Sequence, residues 1–97
     1  MKASVIVVVH AGAHHLDDSL GSLAAIVDRA DVEVVLVDNG SADRCGVSAR
    51  ERFPWVKVVR SETNLGFAGG VHLGVEEASG EVLVLLNDDA AAAVDRL

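Results

Sequence analysis

Val32-Glu33-Val34-Val35-Leu36-Val37-Asp38-Asn39-Gly40-Ser41-Ala42-Asp43 is the stretch that decides the fold. Val32–Val37 is a mostly apolar, β-branched run of strand length. Asn39-Gly40 is a good two-residue hairpin turn, and a hairpin would make the sheet antiparallel. A hairpin needs a second strand directly after the turn. Polar Ala42-Asp43-Arg44 follows instead, and a weak helical segment then runs over about Asp43–Arg52. The chain therefore leaves the strand through a helix, which is how parallel strands are joined.

The same alternation extends in both directions. Upstream, Ala3–Val9 is a β-branched run. Between about His15 and Arg29, Leu16, Leu20, Leu23 and Val27 recur at helical spacing. Asp17 and Asp18 are expected in that helix's first turn, where carboxylates suit the dipole. Downstream, Phe53-Pro54 stops the second helix, because proline disfavours helix at the residue before it. Trp55–Val59 reads as a third strand. About Phe67–Ser79 reads as a third helix whose packing stripe is Phe67, Val71, Val75 and Ala78, with Gly80 at the C′ position. Val82–Leu86 is the fourth strand, and Ala90–Leu97 opens like a further helix. The strands are apolar runs without alternation, as when helices cover both faces. The expected fold is α/β, Rossmann-like and three-layered α/β/α, with a parallel sheet in strand order 3-2-1-4 over residues 1–97. Reversal of direction at the first strand opens a crevice at the carboxyl ends of strands one and four.

Composition removes several function classes. The chain has 97 residues and is 51% hydrophobic, too apolar for a disordered tail. No apolar stretch reaches about 18–20 residues, the length of a spanning helix. Met1-Lys2-Ala3-Ser4 leads into a β-branched run without a small-residue cleavage site, so no signal peptide is expected. Fifteen acids against eight bases give a net charge of −7, so neither nucleic acid nor an anionic membrane is an expected partner. An anionic small molecule is compatible if a cation mediates its binding. The locally basic stretch Arg44–Arg60 reads as a solvated helix face. Cys45 is the single cysteine. It cannot form an internal disulfide or a thiolate zinc cluster, and it reads as a small buried thiol. A cytoplasmic location is expected.

Polar clusters follow the strands. His10-Ala11-Gly12 follows the first, Asp38-Asn39-Gly40-Ser41 the second, and Asn87-Asp88-Asp89 the fourth. Adjacent carboxylates at a strand end suit a hard divalent cation, magnesium or manganese, held together with substrate phosphates. They equally suit a helix N-cap. Asp38 can accept hydrogen bonds from a ribose or base, or close an Asx turn. Around the third helix start, Asn64, Gly66, Gly69, Gly70 and Gly74 let backbone approach an anion or pack closely on the sheet. The histidines are not spaced as a metal site. Neither G-x-G-x-x-G nor G-x-x-x-x-G-K-[ST] occurs, which disfavours an NAD enzyme and a P-loop NTPase.

Together these segments resemble family 2 glycosyltransferases of the GT-A fold. Val35–Asp43 resembles their "VVDNGSxD" segment. Asn64-Leu65-Gly66-Phe67-Ala68-Gly69-Gly70 is similar to "NLGFAGG" of the rhamnosyltransferase-like branch. Gly80–Asp89 is similar to "GEYVLLLNPD", which ends in the D-x-D-type motif. The resemblance implies a nucleotide-diphosphate-sugar site. Its nucleotide-binding residues would be His10, Ala11, Gly12, Asp38, Asn39, Asn64, Gly66, Gly69, Gly70, Asn87 and Asp88. Asp38 would contact base or ribose, and the backbone of His10–Gly12 would line the pocket. Asp89 would hold the divalent cation, Mn2+ or Mg2+. Gly69-Gly70-Val71-His72 departs from the family's frequent "GGNN". The family's inverting members take their base from the acceptor-side half, which lies beyond these residues, and Asp95 is too near the metal motif to serve. The expectation is the donor half of an inverting transferase, with no catalytic base in this chain and little transfer by it alone. The runner-up is a non-catalytic nucleotide-binding or interaction module. An uncovered edge beside the fourth strand implies self-association or pairing with a C-terminal half.

Overall fold

The computed structural model describes residues 2–10, 13–29, 31–42 and 44–87. Four strands, β1 (Ala3–Val9), β2 (Val32–Asn39), β3 (Val56–Ser61) and β4 (Val82–Asn87), alternate with three helices. These are α1 (Ala13–Arg29), α2 (Cys45–Arg52) and α3 (Gly66–Glu77). The sheet order is β3-β2-β1-β4, and every pairing is parallel. The Asn39-Gly40 segment is thus a strand exit and not a hairpin.

Alternate residues of the central strands serve the two faces. Val5, Val7 and Val9 of β1, with Val34 and Leu36 of β2, pack against Leu16, Leu20 and Leu23 of α1 and Cys45 and Ala49 of α2. Ile6, Val35 and Val37 face the other way, where Leu73 of α3 covers them. The three α1 leucines are fully buried, and each contributes about 1.5–3 kcal/mol of hydrophobic stabilisation. Val27, the fourth member of the expected stripe, is partly buried against the same cluster. Cys45 is buried, as expected.

Several boundaries differ from expectation. α1 begins at Ala13 instead of His15, so its first turn holds no acid, and Asp17 and Asp18 fall in the second turn. Dipole stabilisation fades within the first turn, so neither acid gains it. α2 begins at Cys45 after Arg44, whose backbone is left-handed (φ 52°), and Asp43 lies outside the described residues. The helix ends at Arg52 as Phe53 N–H closes on the Ala49 carbonyl (2.8 Å). β3 runs beyond its apolar run because Arg60 and Ser61 pair in register with Asp38 and Asn39. β4 gains Asn87 because it pairs with Val8. The expected helix at Ala90–Leu97 lies outside the described residues.

Of the stripe expected on the third helix, Ala78 packs against the sheet core, but the helix is seated on its glycines. Phe67 and Val75 are 56% and 39% exposed, whereas Gly70 and Gly74 are buried. A Cβ at Gly74 would stand 2.6 Å from Ile6 Cγ2 and 3.0 Å from Val37 Cγ2. Two glycines one turn apart let the helix backbone sit directly on the sheet, and this brings Gly70 over Val8 and Asn39. Gly80 is not a left-handed cap either. Its N–H donates to Ser4 Oγ (2.8 Å), and a Cβ would collide with the backbone of β1.

That contact belongs to a clamp at the amino end of the sheet. Glu33 Oε2 accepts from Ser4 Oγ (2.6 Å), Ser79 N–H (2.5 Å) and Ser79 Oγ (2.9 Å). Burial raises the Glu33 pKa, but these hydrogen bonds, with help from the Lys2 charge, outweigh it and bring it down to about 2.

Gly74→Ala should destabilise the fold by about 1–3 kcal/mol through overpacking. Gly21→Ala, in a helix position open to solvent, should stabilise it by up to about 1 kcal/mol; urea unfolding measures both. The Glu33 carboxylate has a folded pKa below its ordinary 4.5, so its contribution is complete above that value and fades as pH falls toward about 2. The stability gap between the parent and Glu33→Gln should therefore shrink over that acid window; a constant gap would show that the clamp does not depend on the charge.

Candidate functional site

The carboxyl ends of the strands gather the polar residues. β1 delivers His10, β2 delivers Asp38, Asn39 and Ser41, β3 delivers Arg60 and Ser61, and β4 ends at Asn87. The entry to α3, Asn64-Leu65-Gly66, lies beside Asn39. This is the end at which open parallel sheets bind ligands, and β1 and β4 are the strands flanking the reversal of direction.

Asp38 and Asn39 are consecutive, so their side chains leave the sheet on opposite faces. Asp38 turns toward α2 and is fully buried. Its Oδ1 accepts from Ser41 N–H (3.0 Å) and Ser41 Oγ (2.5 Å). Its Oδ2 accepts from Gly46 N–H (3.3 Å) and pairs with Arg60 Nη1 (2.9 Å). Four protein donors thus fill the acceptor capacity of a carboxylate. The local turn anticipated at Asp38 is present through Ser41, and the contacts to Gly46 and Arg60 go beyond it. A Cβ on Gly46 would lie 2.8 Å from Asp38 Cβ, so glycine is what lets α2 come this close.

Arg60 is the residue that sequence reasoning missed. It was placed on a solvated helix face, but it lies on β3 with only 17% of its side chain exposed. Its Nη1 also reaches Ser41 Oγ (3.5 Å). Its Nε is buried without a hydrogen-bond partner, with Glu62 Oε1 3.7 Å away. The usable signal was strand register: in a parallel β2–β3 pair Arg60 stands beside Asp38.

Asn39 turns toward α3 and is 2% exposed. Its side chain bonds Asn64, Leu65 and Gly66. Its carbonyl accepts a hydrogen bond from His10 Nδ1–H (3.1 Å), which ties the first polar cluster to the second. Asn64 Oδ1 also accepts from Gly66 N–H (2.9 Å), and Gly66 takes a left-handed conformation (φ 75°). Gly69 abuts the Leu65 side chain and Gly70 lies over Val8 and Asn39. Asn39 Oδ1 and Asn64 Oδ1 take the N–H groups of Leu65 and Gly66, and the first turn of α3 holds no acid, so the remaining amino-terminal N–H groups keep a positive character. Both readings of the glycine cluster therefore have a basis, close packing through Gly70 and Gly74 and a helix start without an acid.

His10, Asp38, Asn39, Asn64, Gly66 and Gly70 are thus gathered at one end of the sheet. Gly69 sits in the same helix but packs on Leu65. Asn87 ends β4 beside Val8, and Asp88 and Asp89 follow it in sequence. Ala11, Gly12, Asp88 and Asp89 lie outside the described residues. Among the described residues no group of three or more His, Cys, Asp or Glu side chains stands together as a metal site. No helix among them is long and apolar enough to cross a membrane.

A family model described as glycosyl transferase family 2 matches residues 4–97. The chain is 33% identical over 92 residues to a dolichol-phosphate mannosyltransferase of Pyrococcus furiosus, covering 92% of this chain and 26% of that protein. It is 35% identical over 68 residues to an N-acetylglucosaminyl-diphospho-decaprenol L-rhamnosyltransferase of Mycobacterium tuberculosis, covering 70% and 22%. Two solved structures are similar to it. One is a mannosyltransferase of Pyrobaculum calidifontis in complex with GDP-Man and Mn2+ (TM-score 0.77, 26% identity, 91% of this chain and 27% of that one). The other is S. aureus TarS residues 1–349 in complex with UDP (TM-score 0.78, 30% identity, 99% and 32%). The chain spans about a quarter of the length of the curated relatives it matches. The fold is that of GT-A glycosyltransferases.

Removing the Asp38 carboxylate strands Arg60 and two backbone N–H groups. Asp38→Ala should cost about 3–5 kcal/mol, the scale of breaking a buried ion pair on one side. Urea unfolding without any nucleotide present tests this. A loss below about 1 kcal/mol would mean that the carboxylate is not a structural hub.

Proposed function

We propose, from the premise that this chain belongs to glycosyl transferase family 2, that it forms the donor side of a GT-A transferase domain and binds a nucleotide-diphosphate sugar at the carboxyl end of its sheet. The observation that carries this reading is the convergence of His10, Asp38, Asn39 and the α3 entry at the carboxyl ends of β1 and β2. Similar proteins solved with GDP-Man and Mn2+ and with UDP support it.

The nucleotide would lie along His10, Ala11 and Gly12, with Asn64, Gly66, Gly69 and Gly70 on the opposite side and Asp38 and Asn39 beneath them at the end of β2. Because the Asp38 carboxylate is filled by protein donors, it acts on the base or ribose side by holding Ser41 and Arg60 in place. The acid-free start of α3 favours the negative diphosphate. Asn87, Asp88 and Asp89 continue from β4, and Asp89 would be the cation ligand. Carboxylate oxygen plus diphosphate is a donor set suited to Mn2+ or Mg2+. A cation bound there supplies Lewis-acid stabilisation of the departing diphosphate.

The reaction proposed for the complete domain is inverting transfer. An acceptor hydroxyl attacks the anomeric carbon opposite the leaving group, the diphosphate departs with the bonding pair, and the hydroxyl proton passes to a base outside these residues. Leu83 and Leu85 of β4 and Phe67 of α3 are about half exposed. They support pairing of this unit with a C-terminal half or with a second copy.

Titration with UDP, dTDP and GDP, with and without Mn2+, followed by amide NMR, tests the reading. Metal-dependent shifts around Asp38 and the end of β4, and at least about tenfold weaker binding by Asp89→Ala, are expected. Nucleotide binding indifferent to metal and to Asp89→Ala would favour the non-catalytic module. No binding by a folded chain would remove the donor-site reading.

A further inference from the structure

We infer that Asn39 is a positioning residue, which docks residues 64–66 onto the end of β2 and so sets one wall of the nucleotide site without touching the ligand. The inference rests on the donor-site reading above and assigns Asn39 a role different from direct contact.

The side-chain amide has two N–H donors and one carbonyl oxygen. One N–H donates to the Gly66 carbonyl (2.9 Å) and the other to Asn64 Oδ1 (3.2 Å). The oxygen accepts from Leu65 N–H (2.9 Å). Both donors and the acceptor are spent on three consecutive residues, and the group is buried. It has no N–H left to offer a ligand. An amide is also the group that can do this, since the segment presents one N–H and two oxygens. A carboxylate would accept from Leu65 but repel the two oxygens, and a hydroxyl is too short to span all three.

The surroundings are cut to this arrangement. A Cβ on Gly70 would stand 3.0 Å from Asn39 Nδ2, and one on Gly40 would stand 2.6 Å from the backbone N of Asn64. Glycine at both positions lets the β2 exit, the 63–66 segment and α3 close on one another. Through its carbonyl, Asn39 also orients the His10 ring. One residue thus couples the His10 side of the site to the α3 side.

The test compares the unaltered chain with Asn39→Asp, Asn64→Ala and the double variant. UDP and GDP affinity is measured with Mn2+ by titration, alongside urea unfolding and amide exchange at Leu65 and Gly66. Asn39→Asp is nearly isosteric, and Asn39→Ser is a second variant should it fail to fold. The expected result is a folded variant with rapid exchange at Leu65 and nucleotide affinity lowered about tenfold or more. Asn64→Ala should weaken binding too, and the double variant should be little worse than the weaker single, because both act through one segment. A folded Asn39→Asp protein with unchanged affinity would overturn the inference, whatever its unfolding midpoint. Additive losses would also overturn it, by making Asn39 a direct ligand contact. Failure of the unaltered chain to bind any nucleotide is a separate outcome that defeats the donor-site reading, and the positioning role falls with it.

Discussion

The structure depends on the handedness of its crossovers. A parallel strand–helix–strand unit is right-handed, because a right-twisted strand feeding a right-handed helix packs back on the sheet only that way. Moving outward from β1 to β2 to β3 puts α1 and α2 on one face. Returning past β1 to β4 puts α3 on the other, as the two core clusters show. The reversal leaves β1 and β4 adjacent and parallel. Every polar cluster that follows a strand is therefore delivered to one end of the molecule.

The two faces are packed by different means. On the α1–α2 face, leucine and valine side chains fill the space between helix and sheet, and their volume sets the spacing. On the α3 face, Gly70 and Gly74 remove side chains from the contact, so helix backbone rests on Val8, Ile6 and Val37. A helix held that close carries its own amino terminus down to the level of Asn39. Two apolar residues of the same helix, Phe67 and Val75, remain exposed.

Consecutive residues at the end of β2 divide the polar work. Asp38 gathers Ser41, Gly46 and Arg60 on one face, and Asn39 gathers Asn64, Leu65 and Gly66 on the other. A charged carboxylate suits the first face because a guanidinium and backbone N–H groups meet it. A neutral amide suits the second because donors and an acceptor are needed together. The glycines at 40, 46 and 70 are where neighbouring backbone comes too near for a Cβ.

By itself the sequence determined the element order, the parallel sheet, the strand order and the end of the sheet where the polar residues after the strands gather. Apolar runs without alternation, the polar stretch after Asn39-Gly40 and the helical spacing of Leu16, Leu20 and Leu23 carry that information locally. It also determined the family, because three motifs recur in order. Tertiary structure alone decided which face of α3 is buried, since glycine has no hydrophobic signal and a periodic apolar stripe outweighs it in any pattern. It alone decided that Arg60 belongs to the polar end, because that depends on register with Asp38 across the sheet. It also decided that Asn39 is consumed within the protein, since hydrogen bonds between residues 25 to 27 apart in sequence leave no local trace.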